Sequence, residues 1–94
     1  MTYTTAIATD AVAREFGRVG AVERVYVEPH GQDTTVWIVL NPFTFENQRQ
    51  VFKIEREVSR KFRHLRLEFN LLEPTEENRS SDFSKASLSY QKSA

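Results

Sequence analysis

The sequence predicts an α+β fold: an αββαβ two-layer sandwich, with a three-stranded mixed sheet and two helices on one face. Three observations carry that expectation. Two segments of strand character flank a turn cluster near residue 30, a long stretch from 46 to 63 has helical periodicity, and after His64 the period returns to two.

The first helix is expected from about Thr5 to Phe16, where Val12 and Phe16 lie four apart and Gly17 offers a left-handed stop. Asp10 is an alternative cap for a shorter helix beginning at Ala11. From Val22 to Glu28 the residues alternate, with Val25 and Val27 on one side and Arg24, Tyr26 and Glu28 on the other. Pro29-His30-Gly31-Gln32-Asp33 reads as a turn, and Thr34 to Leu40 is β-branched and aromatic, so a β-hairpin follows. Its second strand is apolar on both faces, as a central strand should be, and Asn41-Pro42 ends it.

The long helix places Val51, Ile54, Val58 and Phe62 within roughly 80° of arc, a stripe that faces a core. Thr44 is its expected cap. Leu65, Leu67, Phe69 and Leu71 then alternate with Arg66, Glu68, Asn70 and Leu72, predicting a third strand that ends near Pro74. A right-handed crossover through the helix makes the second and third strands parallel if they are neighbours. The expected inward set is Val12, Phe16, Val25, Val27, Val36, Ile38, Leu40, Val51, Ile54, Val58, Phe62, Leu65, Leu67, Phe69 and Leu71.

Ninety-four residues leave room for one domain, which buries only about two-thirds of its unfolded surface. Residues 1–74 form that domain, and residues 75–94, polar and rich in serine, read as a partly disordered tail in which only Phe83, Leu88 and Tyr90 offer anchors. The absence of cysteine removes disulfides, thiol catalysis and cysteine zinc sites, and fits a reducing compartment. The first ten residues lack a basic start and a long apolar stretch. Neither a secretion signal nor a membrane span is expected, and the location expected is cytoplasmic.

Little in the sequence points to catalysis. The only histidines, His30 and His64, do not make a ligand set even with Asp33 beside His30 in the same turn, so no metal or other cofactor is expected. The serines concentrate in the tail, the three glycines form no phosphate-binding loop, and Glu55 and Glu57, two apart on a helix, diverge. The expectation is a non-enzymatic interaction or regulatory module.

Charge and aromatic placement supply its candidate surfaces. Between Asn47 and Arg66 the local balance is +5, although the whole chain is neutral. Arg49, Lys53, Arg56, Arg60 and Arg63 share one outer arc of the helical wheel, a candidate anion or nucleic-acid surface; a solvated face partly neutralised by Glu57 with Lys53 and Lys61 is the plainer reading. If both helices cover one side of the sheet, Tyr26, Trp37 and Val39 look outward on the other. Such a face suits a homodimer or protein partner, cover by the tail, or base stacking. Phe52, off the main stripe, and Phe43 and Phe45 before it add apolar surface for association. Homodimerisation or a protein partner on the open sheet face is the leading function, with weak nucleic-acid binding along the basic helix as an alternative.

Over residues 5 to 74, Gly20-Ala21-Val22-Glu23-Arg24-Val25, the His30-Gly31 turn, the long helix and Phe69-Asn70-Leu71-Leu72-Glu73-Pro74 resemble the cytosolic domain of cation-efflux transporters. That resemblance implies a dimerising αββαβ module, without carrying over metal ligands. The element order is also similar to a minimal nucleotidyltransferase core, but Glu28-Pro29-His30-Gly31-Gln32-Asp33 stands where that family has Gly-Ser and paired aspartates. This resemblance therefore implies a degenerate nucleotidyltransferase-like protein without activity. KH-like RNA-binding domains share the helix and strand content, but the chain has no Gly-x-x-Gly loop.

Overall fold

The structure is a computed structural model that describes residues 10–79 and 87–91. Its elements are α1 (residues 10–16), β1 (Val22–His30), β2 (Asp33–Leu40), α2 (Phe45–Lys61), a 3₁₀ turn (Arg63–Leu65), β3 (Leu67–Leu72), α3 (Glu76–Arg79) and β4 (Ser87–Gln91). The α+β class and the αββαβ order hold. The sheet, however, has four strands in the order β3-β2-β1-β4 rather than three. No helix among the described residues is long and apolar enough to cross a membrane.

β1 and β2 form the antiparallel hairpin, closing on the pair His30 and Asp33. The first loop residue, Gly31, has φ +63°, which a side chain would strain and glycine accepts. Left-handed backbone occurs here and at Arg66 (φ 50°), not at the expected Gly17. Pro29 pairs with Thr34 on its β2 side, and among the described residues β4 pairs with Arg24 to Val27. Among the described residues, the missing Pro29 amide hydrogen leaves no bond to β4 unmade.

Thr44 caps α2 as expected, its Oγ1 accepting from the Asn47 amide at 3.1 Å. The helix ends at Lys61, where the Phe62 amide donates back to the Val58 carbonyl at 2.8 Å. Arg63 and His64 therefore lie in the 3₁₀ turn rather than on the helix. After the crossover β3 runs parallel to β2, with Val36 opposite Phe69 and Ile38 opposite Leu71.

The core lies between the sheet and the two longer helices. Val12 and Phe16 of α1, Val51, Ile54 and Val58 of α2, and Val25, Val27, Val36, Ile38 and Leu40 of the central strands are buried in one cluster with Leu65. Phe62, Leu67, Phe69 and Leu71 pack on its margin. Every residue of the expected inward set is accounted for. Phe16 meets Phe69 edge-to-face, with ring centroids 5.6 Å apart, which ties α1 to the β3 side.

β3 and β4 lie at opposite edges, so the chain between them has to cross the sheet. Its described part, residues 73–79, reaches the face away from the longer helices. The Arg79 carbonyl accepts from Tyr26 Oη at 2.8 Å and Arg24 Nη1 at 2.7 Å, while the Arg79 guanidinium binds Glu23 at 2.6 and 3.1 Å. The described secondary structure thus continues past residue 74, with α3 and β4. The readings made for residues 1–9, 80–86 and 92–94, including the start of α1 and an anchoring role for Phe83, lie outside the described residues.

Candidate functional site

The sheet face offered by Tyr26, Trp37 and Val39 is not the open surface expected. Tyr26 is 5% exposed and Val39 is fully buried, both outside the main core cluster, and Trp37 is half-buried. The physical reason begins with the crossing segment: Arg79 covers the Tyr26 hydroxyl and satisfies it. A phenol body buried beneath a bonded hydroxyl gives folding energy to its own chain before it can serve another.

The basic arc is exposed but not uniform. Arg49 lies 3.8 Å from Glu46, whereas Lys53, Arg56, Arg60 and Arg63 have no ion pair among the described residues. Neutralisation of the arc by Glu57 with Lys53 and Lys61 does not occur. Glu57 faces Arg18 at 3.8 Å, and Lys61 reaches Glu15 at 3.4 Å, both links between α2 and the α1 end. Glu15 also accepts from Arg18 at 2.8 Å, and these cations hold its carboxyl below the usual range.

His30 and His64 are exposed and far apart in role. His30 Nε2 lies 2.9 Å from Thr35 Oγ1, and the His64 ring tilts against Phe62. Asp33 is held by Arg66 at 3.2 Å. Among the described residues, no group of three or more His, Cys, Asp or Glu side chains converges.

Charged groups without ion pairs also line a groove between α2 and the free side of β3. A groove of about 390 Å³ is lined by Glu55, Arg56, Ser59 and Arg60 of α2 and by Leu67 and Phe69 of β3. β3 pairs only with β2, so its outer side is an unpaired strand edge among the described residues. Glu55 has no hydrogen bond or ion pair there, and burial alone pushes its carboxyl up to about 7. One turn before it on the same flank, the Phe52 ring is 44% exposed, and Phe45 at the helix start is 76% exposed.

Of the residues singled out from sequence, the groove brings together only Arg56 and Arg60. Glu55, Ser59, Leu67 and Phe69 were not read as a site. A signal existed for Glu55, which lies four residues from Val51 and three from Val58, so it borders the buried stripe.

Compared with known proteins, the chain matches no protein-family model, no curated protein and no solved structure.

Proposed function

We propose that this chain is a non-catalytic α+β interaction module that receives an extended polypeptide segment along the free edge of β3. The observation that carries the reading is the coincidence of an unpaired strand edge with a groove whose half-buried carboxylate and two arginines lack partners. An added strand would pair its main chain with the edge and send alternate side chains into the groove over Leu67 and Phe69. Partner binding thereby moves from the sheet face, where Tyr26 and Val39 are buried, to the sheet edge.

Titrating the labelled protein with short peptides of alternating apolar and polar residues tests this by amide resonance shifts. Shifts concentrated on residues 67–72 and on the α2 flank support it. Shifts confined to other surfaces, or none with any peptide, overturn it.

A second reading rests on Lys53, Arg56, Arg60 and Arg63, which are exposed without ion pairs among the described residues. Phosphate neutralisation along α2 would give weak, salt-sensitive binding to RNA or DNA. Replacing Arg56 and Arg60 by Ala would then lower binding to all sequences alike and flatten the salt dependence. No binding at low salt to either nucleic acid removes this reading.

A further inference from the structure

Building on the edge reading, we propose that the occupant of the groove is a second copy of this chain. The two β3 strands pair antiparallel about a two-fold axis beside Phe69, and Glu55 of each copy meets Arg56 of the other. The register follows from the topology. As the crossover between parallel strands, α2 runs against β3, so of the two β3 residues in the groove Phe69 lies toward the Glu55 and Arg56 end. Leu67 lies toward Ser59 and Arg60.

An axis beside Phe69 sets Phe69 opposite its own copy, Leu67 opposite Leu71 and Glu68 opposite Asn70. The apolar pairs fall on the helix side and the polar pair on the other, as the alternation of β3 requires. Slipping the axis by one residue to Glu68 sets two like charges directly opposite, which is disfavoured.

The same axis runs the two α2 helices antiparallel. Centred beside Glu55 and Arg56, it matches Glu55 with Arg56 of the other copy, and Phe52 with Ser59. Residues 52, 55, 56 and 59 are spaced as a helix-packing seam, in which the small Ser59 leaves space for the Phe52 ring.

Charge separates a second copy from other occupants. An acidic strand satisfies the arginines and leaves Glu55 without a partner, and a basic strand does the reverse. A second copy presents both signs at the required spacing, and symmetry makes each contact twice.

Sedimentation of the full chain up to about 200 µM near neutral pH, a range that reveals weak dimers, tests the proposal with four proteins: wild type, Glu55→Arg, Arg56→Glu and the double variant. A dimer is expected for the wild type. Each single exchange places like charges together and weakens it by about ten-fold or more, and the double exchange restores it. Circular dichroism checks that each variant is folded; a variant that unfolds is replaced by Ser59→Arg, which fills the position facing Phe52 and has to weaken the dimer equally. A monomeric wild type, single exchanges without effect, or a folded double variant that stays weak overturns the proposal. If the wild type is monomeric but alternating peptides still shift β3, the second-copy assignment alone fails. If no peptide shifts β3 either, the edge reading fails with it.

Discussion

The sheet face at Tyr26 and the sheet edge at Phe69 treat their polar groups in opposite ways. At the face, Tyr26 Oη and Arg24 Nη1 both donate to one carbonyl of Arg79, whose guanidinium is held by Glu23. Arg24 Nε alone is buried there without a partner. At the edge, Glu55, Arg56 and Arg60 line a groove with no ion pair among the described residues. The face carries the richer apolar set, yet the chain closes it upon itself; the edge carries charges and stays open. A free strand edge beside unpaired charges therefore marks the available surface better than apolar composition does.

The contrast can be broken most forcefully at the face. Tyr26→Ala removes a buried ring together with its bond to the Arg79 carbonyl, and a loss of about 3 kcal/mol is expected in urea unfolding. A loss no larger than that of an exposed residue would mean that the face is not closed in solution.

The ion pair at the crossing segment gives a smaller effect with a defined pH signature. The Arg79 guanidinium holds the Glu23 carboxyl below its ordinary 4.5, so the stabilisation is present above that value and is lost as pH falls through the lowered one. Glu23→Gln should flatten the acid limb of the stability profile, as Arg79→Ala should. An unchanged limb in both variants would place the pair outside the folding equilibrium.

At the edge the sign reverses. Glu55 keeps its proton up to about 7 because of burial, so its contribution is fully present below the ordinary 4.5 and fades as pH rises through 7. The facing charges, Arg56 and Arg60, lie on its own helix, and β3 offers only Leu67 and Phe69 to the groove. In solutions too dilute for association, Glu55→Gln should remove this fall and stabilise the protomer at about pH 8 by about 1 kcal/mol, a figure discounted for solvent access. A destabilised glutamine variant would show that the carboxylate has a partner within the protomer.

The smallest effect sharpens the comparison from the other side. Phe52→Ala should change protomer stability by less than about 0.5 kcal/mol, because the ring is exposed, while measurably weakening the proposed dimer in sedimentation. Equal dimerisation by this variant would separate Phe52 from the interface.

Legibility in the sequence followed the strength of the periodic signal. Val51, Ile54 and Val58 recur at helical spacing and Val36, Ile38 and Leu40 at strand spacing, so both the long helix and the central strand could be read directly. β4 was missed because Ser87-Leu88-Ser89-Tyr90-Gln91 alternates for only five residues within a serine-rich stretch, and its place is fixed by pairing with distant Arg24 to Val27. The closed face was illegible for the same reason: the bonds to Tyr26 come from Arg79, 53 residues away. Helical periodicity set Glu55 beside the buried stripe, but which strand that flank overlooks depends on the crossover.

The edge-to-edge passage from β3 to β4 also sets an order of events during synthesis. β1 and β2 leave the ribosome as a local hairpin, and α2 and β3 follow close behind. The pairing of Arg24 with Gln91 has to wait until β4 has also emerged. Closing so long a loop is also entropically costlier than closing the hairpin turn. Until residues 73–79 emerge, Tyr26 lacks its Arg79 cover in the nascent protein. In that interval β1 has a vacant flank, which β4 of a neighbouring chain would fit as well as its own.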